Sequence, residues 1–350
     1  MLARLIKMAE YGYLPDSLIR LGIRRLCKVR VGWAKSVGPD AVENHHQKWV
    51  DTLKQSPVAL VPEKANEQHY EVPPKFFEYV LGSQLKYSSG YWPDGVTSLD
   101  QSEEKMLQLT CQRADLIDGQ DILELGCGWG SLTCFMAKLF PNSHITAVSN
   151  SKDQKKFILE RCLSSGITNV EIITADMNDF NINKVFDRVV SVEMFEHMRN
   201  YKILLGRINS FLKDEGKLFI HIFSHRDLVY PFEDKGEGDW MAREFFSGGI
   251  MPSHHLLLYF QEDLKIDSTW KLSGEHYQKT SLGWLKKIDL NKNKVLKIFK
   301  EVYGVENASR WLQRWRIFFM SCEVLFGFEK GTQWGVSHYL FIKRKKNKIK

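Results

Sequence analysis

The chain has 350 residues, 43% of them hydrophobic, which is enough to bury a sizeable core as one large domain or two ordinary ones. Its formal charge of +7 falls to +1 once the tail residues Lys343, Arg344, Lys345, Lys346, Lys348 and Lys350 are set aside, so the body offers no nucleic-acid footprint. No apolar run approaches the ~20 residues that span a bilayer, Arg4, Lys7 and Glu10 interrupt any signal-peptide segment, and none of the six cysteines pairs as Cys-x-x-Cys. The expectation is a soluble, cytoplasmic protein with reduced thiols, no zinc site and no disulfide framework.

Residues 1–65 read as an added helical cap. Leu2, Leu5, Ile6 and Ala9 share a helical face, Pro15-Asp16 breaks it, and Leu18, Ile19, Gly22, Ile23 and Leu26 resume it. The basic face of Arg20, Arg24, Arg25, Lys28 and Arg30 fits a solvated helix or an anionic membrane surface. The segment Asn66 to Pro73 then leads into Phe76, Phe77 and Tyr79, followed by Tyr87, Ser88, Ser89, Gly90, Tyr91 and Trp92. Aromatics with hydroxyls suit a loop closing on a ligand at a partly wet site; by residue type alone they suit core packing equally.

Asp121 to Leu125 is an apolar run ending in glycines at alternate positions, Gly126, Gly128 and Gly130, before the helical pattern of Ser131 to Phe140. Glycines let a backbone approach a ligand where a side chain would collide, and the helix start offers unpaired N–H groups. Neither the dinucleotide spacing nor the Gly-Lys-Ser/Thr ending of a phosphate loop is present. A second strand at 145–148 runs into Ser149, Asn150 and Gln154, and a third at 170–174 into Asp176 and Met177. The fourth, Arg188 to Val192, runs into Glu193-Met194-Phe195-Glu196-His197-Met198, ionisable residues at the strand end where open α/β sheets place their chemistry. If 193–198 continued as a helical turn, Glu193 and Glu196 would share a face and look into one pocket. After a helix at 201–212 and a fifth strand at 217–223, the alternation from Asp121 to Phe223 predicts an α/β doubly wound parallel sheet with helices on both faces, within a core domain at 66–223 that includes the Tyr87-Ser88 loop. Residues 224–350 read as a substrate-covering insertion, helical patterns at 284–303 and 308–325, and a final strand at 334–343. His221, His225, His254 and His255 lack Cys partners or a His-Glu-x-x-His arrangement, so no metal site is expected.

The glycine loop resembles motif I of S-adenosylmethionine-dependent methyltransferases, whose ligand has no pyrophosphate. The segments at His69 to Pro73 and Tyr87-Ser88-Ser89 resemble the cyclopropane fatty acid synthase group within them. Over its whole length, including Phe232-Glu233-Asp234, Phe246 to Gly249 and Met251-Pro252-Ser253, the chain is similar to coclaurine N-methyltransferases and their protoberberine and pavine relatives. The resemblance implies S-adenosylmethionine as methyl donor. It implies that Glu124 holds the methionyl end beside Gly126 and Gly128, and that Tyr87 and Ser88 contact the cofactor. Ser149, Asn150 and Gln154 replace the usual ribose acid, Asp176 takes the adenine amino group, Met177 packs on the ring, and Val192 completes the set. It implies a small-molecule amine acceptor served by Glu196 and His197 as base or positioning pair, with Glu193 facing its positive charge. The alternative it carries is transfer to the double bond of a phospholipid acyl chain, with membrane contact and a bicarbonate base held by Cys322, Glu196, His221 and Tyr277. The synthases have Gly where Glu193 stands, which favours the amine. Monomer and homodimer are both left open.

Overall fold

The computed structural model describes residues 2–61 and 72–344. The quoted segment 66–71, the boundary at 65/66 between cap and core, and most of the basic tail lie outside the described residues. Five parallel strands form in chain order: β1 (Asp121–Leu125), β2 (His144–Ser149), β3 (Val170–Thr174), β4 (Phe186–Val192) and β5 (Leu212–His225). A two-stranded ribbon of β6 (Tyr230–Pro231) and β7 (Ile250–Met251) follows, then β8 (Leu264–Ser273) and β9 (Trp334–Lys343). The main sheet has the order β3-β2-β1-β4-β5-β9-β8, with β9 antiparallel to β5 and β8 antiparallel to β9. The parallel strands are apolar on both faces because helices cover both: Ile122, Leu123, Val189, Val190, Leu218 and Ile220 are all fully buried.

Strand order reverses between β1 and β4, which are direct neighbours with Leu125 opposite Ser191. The crevice of a doubly wound sheet opens at such a reversal, beyond the carboxyl ends of the strands. The glycine loop after β1 and the acidic segment after β4 therefore face each other.

Three features depart from the sequence expectation. The segment after residue 224 contains β8, an edge strand the sequence reading did not predict although its exposure alternates from Leu264 to Ser273, with Leu264, Ile266, Trp270 and Leu272 turned inward. A register shift against β9 lies between Ile266 and Ser268. The helical pattern expected from Trp284 begins ten residues earlier, in a helix Gly274–Leu290 capped by Ser273, whose Oγ accepts the Glu275 N–H at 3.2 Å. At the acidic segment there is no continuous helical turn after β4. Glu193 has φ +49°, in the left-handed region, and only Phe195–His197 forms a short 3₁₀ turn.

The N-terminal helices Leu2–Glu10, Asp16–Val37 and Pro39–Gln55 do not stand apart. Ala9, Ile19, Cys27 and Val31 share a core with Trp315, Phe318 and Phe319 of the helix Ala308–Phe326. Val50 and Leu53 join the core that holds β4 and β5.

Candidate active site

The glycine loop is tied down by backbone bonds from Gly126 and Cys127 to Val148 of β2, both at 3.0 Å. Its three glycines have positive φ for different reasons. A Cβ on Gly126 would lie 2.7 Å from Met194 of the β4 loop, and one on Gly130 would lie 2.8 Å from Ile158, so both are close-packing positions. A Cβ on Gly128 would meet no described atom within 4 Å. That open space at a helix start is the cradle a ligand needs, and nothing in the packing of the protein otherwise requires glycine's missing side chain there.

Gly126, Gly128, Ser149, Asn150, Gln154, Asp176, Met177, Glu193 and His197 line one cleft. The Ser149 hydroxyl donates to Gln154 Oε1 at 2.6 Å, leaving the buried Gln154 Nε2 without a protein partner. A buried amide donor left unpaired is costly unless a ligand takes it. These residues fit S-adenosylmethionine: a glycine cradle, an uncommitted amide, and Asp176 with Met177 at the end of β3.

Ala59, Val61, Met194, Met198, Ser247 and Gly248 also line the cleft, and sequence reasoning did not single them out as ligand contacts. The segment at 58–59 is stitched to the cleft by the Arg199 N–H donating to the Val58 carbonyl at 2.7 Å and by the Asn178 side-chain oxygen accepting the Ala59 N–H at 2.9 Å. Arg199 in turn donates to the carbonyls of Gly248 and Gly249 at 2.8 and 3.1 Å, holding the insertion over the lip.

Several expected residues lie outside the cleft wall. Glu124 is buried beneath the loop, where its Oε2 accepts the Thr133 hydroxyl at 2.5 Å, and burial pushes its carboxyl up to about 8. Tyr87 packs between Phe77 and Trp284, and Ser88 pairs with the buried Lys86 ammonium. Val192 ends β4 against His221, and Cys322 is partly buried on its helix with a thiol that burial, then the charge of Glu193, pushes up to about 12.

At the end of β4 the Glu193 carboxylate is held on both oxygens. Its Oε1 accepts the Ser89 backbone N–H at 3.1 Å and lies 3.2 Å from His221 Nε2, while Oε2 accepts the Tyr277 hydroxyl at 2.7 Å. Burial raises the Glu193 carboxyl, and Lys86, Tyr277, Ser89 and His197 offset this only in part, so it stays above its ordinary range. Contrary to the expectation that both carboxylates look into one pocket, Glu196 does not line the cleft with Glu193 and His197: without a continuous helical turn it is turned inward and fully buried, with Oε1 accepting the Phe223 N–H at 3.0 Å and Oε2 unpartnered. Burial first, then the Glu193 charge, hold its carboxyl well above the usual range. His197 packs on Phe246 with centroids 4.6 Å apart, and burial lowers it to about 4, so it is neutral near pH 7.

A larger groove of about 740 Å³ lies between the helices 16–37 and 39–55 and residues 225–227 and 255–259, but it contains none of the candidate site residues. No cluster able to hold a metal ion, and no helix long and apolar enough to cross a membrane, occurs among the described residues.

The profile of the mycolic acid cyclopropane synthetase family matches residues 61–333. The chain belongs to that family. Within it, this mycolic acid cyclopropane synthetase family member is 36% identical to (S)-coclaurine N-methyltransferase of Thalictrum flavum subsp. glaucum, over 98% of this chain and 96% of the relative. A crystal structure of coclaurine N-methyltransferase bound to N-methylheliamine and SAH matches with a TM-score of 0.94 at 35% identity, covering 97% of this chain and 99% of that one. The cyclopropane-fatty-acyl-phospholipid synthase of Escherichia coli K12 is 30% identical over only 62% of this chain and 54% of its own. The fold is that of the S-adenosylmethionine-dependent methyltransferases.

Proposed function

We propose that this family member transfers a methyl group from S-adenosylmethionine to the nitrogen of a small amine of the benzylisoquinoline type. The observation that carries the reading is the Glu193 carboxylate, fixed at the end of β4 beside the glycine cradle, with Glu196 behind it. The family relative bound to N-methylheliamine and SAH supports the same acceptor class. His221 and Tyr277, which the resemblance implies for a bicarbonate base, are engaged here by the Glu193 side chain. The protein's own carboxylate thus stands among the groups that would bind that anion.

When bound, S-adenosylmethionine supplies a methyl group on a sulfonium that is displaced in line, so the protein chiefly aligns the acceptor and excludes water. The cradle around Gly128 admits the cofactor, Gln154 offers it an amide donor, and Asp176 with Met177 receives the adenine end. Glu193 faces the amine's positive charge, which suits a cation far better than a neutral acyl chain. An ammonium must shed a proton before its nitrogen can attack. Glu193 and Glu196 are adjacent buried carboxyls, both raised by burial and Glu196 further by the Glu193 charge, so their double ionisation is disfavoured. An incoming ammonium favours ionisation of the pair, whose displaced proton leaves to solvent through the cleft, and the ammonium's own proton then passes by way of Glu193 at the cleft wall to Glu196 behind it, with the neutral His197 alongside.

Glu196→Gln removes that proton acceptor. The methylation rate should fall about 10²–10⁴-fold, corresponding to roughly 3–5 kcal/mol of transition-state stabilisation, while cofactor affinity by calorimetry is retained. The loss should shrink at alkaline pH, where the amine arrives already deprotonated. Wild-type turnover at neutral pH in both Glu196→Gln and His197→Ala would show the pair to be structural.

A further inference from the structure

Glu193 does not end the polar chain at the sheet. His221 of β5 and His338 of β9 are register partners, and their rings meet with His338 Nε2 2.9 Å from His221 Nδ1. His338 Nδ1 in turn lies 2.8 Å from a guanidinium nitrogen of Arg113, the last residue of the helix Leu99–Arg113. Arg113 stacks on Trp270, the register partner of His338 on β8, at 4.9 Å. Four side chains thus form one hydrogen-bonded line from the partly exposed Arg113, through two fully buried imidazoles, to the carboxylate at the cleft.

The chemistry of the end group fixes the direction of the line. A guanidinium only donates, so His338 Nδ1 must accept, and a neutral ring then carries its proton on Nε2. That proton is donated to His221 Nδ1, which leaves His221 with its own proton on Nε2, pointing at Glu193 Oε1. Both rings are kept neutral by burial, reinforced in His221 by Lys86 and Arg113 and in His338 by His221, Arg113 and Lys86. In the opposite tautomer His221 would turn a lone pair toward the carboxylate, and Glu193 would have to take up a proton to keep the contact.

We propose that Arg113 and His338 are positioning residues for methyl transfer: they set the tautomer of His221 so that it donates to Glu193 and keeps that carboxylate ionised toward the amine. The inference rests on the role given to Glu193 above. Lys86, Glu196, His197, Tyr277 and Cys322 also face Glu193 electrostatically, and Tyr91 faces Arg113. All of them stay in place in the variants below, so a change on cutting the line belongs to the line.

The test combines histidine ¹⁵N NMR with a pH profile of kcat on the full-length chain. In the wild type, His221 and His338 should both show the Nε2–H tautomer. In Arg113→Met that pattern should be lost, and the acid limb of the kcat profile should move up by about one pH unit, a roughly ten-fold loss at the limb that disappears at pH 9. Arg113 is only partly buried and methionine can keep an apolar stem against Trp270, so this variant should fold; His338→Leu cuts the line one residue nearer and should move the limb the same way, and His338→Gln, which can accept and donate in series, should restore it. Unchanged tautomers in folded Arg113→Met, or a loss of rate equal at every pH, would overturn the proposal. The NMR readout needs no turnover, so it stands or falls separately from the identity of the methyl acceptor.

Discussion

Glu124 carries a carboxyl that is 2% exposed and bonded only to Thr133, and burial raises it to about 8. The folded state therefore holds a proton that the unfolded chain releases near pH 4.5, and this contribution to stability is full below 4.5 and lost as pH rises through about 8. Glu124→Gln removes the dependence, so the variant should gain on the wild type across that window, by on the order of 3 kcal/mol at its upper end. Thermal unfolding of the ligand-free pair at pH 5 and pH 8 reads the difference. Cys322 poses the opposite case, because its thiol, raised to about 12, remains neutral at working pH. Cys322→Ala should leave amine methylation within about two-fold of wild type, since an unionised thiol supplies neither base nor nucleophile. A large loss with folding intact would return this cysteine to the chemistry.

Elements, more than single residues, decide what the sequence could tell. The strand β1, its glycines and the helix after them were legible because periodicity changes from strand to helix within ten residues, and glycine spacing has a physical meaning. The two kinds of glycine were not separable there. Only packing shows that Gly126 and Gly130 are filled by Met194 and Ile158, whereas Gly128 faces open space. Gly128→Ala should then lower cofactor affinity at least ten-fold while costing about 1 kcal/mol of stability for its left-handed backbone. Gly126→Ala should damage both, as it meets Met194 at 2.7 Å. Parallel titration calorimetry and thermal melts distinguish the two. The acids after β4 were visible as a cluster, but their geometry was not, since no local pattern announces a left-handed Glu193. His338 and Arg113 left no signal because they are brought to His221 by strand register and a helix end that lie more than a hundred residues apart in sequence. The edge strand β8 alternates in period two from Leu264 to Ser273, so its pattern was in the sequence and was not read.

At the scale of the whole molecule, the N-terminal helices and the C-terminal half close around the catalytic sheet as one body of contacts. Glu10 shows how: its buried carboxylate accepts from Trp240 Nε1 at 2.8 Å, Arg310 Nε at 2.8 Å and Arg314 Nε at 3.0 Å, joining the first helix to the insertion and the last long helix. Burial pushes this carboxyl up, yet the Trp240, Arg310 and Arg314 bonds bring it net below its ordinary value. Glu10→Ala removes the carboxylate shared by the two arginines, leaving Arg314 its 3.0 Å pair with Glu244, and should cost about 2–4 kcal/mol, seen as a lower Tm with cofactor affinity preserved. We propose on the same contacts that Ala59 and Val61 of the N-terminal segment and Ser247 and Gly248 of the insertion act together as the wall over the acceptor, because Val61 and Gly248 meet there, with a Cβ on Gly248 falling 2.3 Å from Val61. The amine proposed above sits between this wall and the corner of Glu193 and His197, with Glu196 behind them. The direct measurement is a labelled-methyl assay with S-adenosylmethionine, offering a secondary benzylisoquinoline amine and unsaturated phospholipid vesicles side by side, with and without added bicarbonate. Label should appear on the amine nitrogen at a rate indifferent to bicarbonate; label in the acyl chains, stimulated by bicarbonate, would show a lipid acceptor instead.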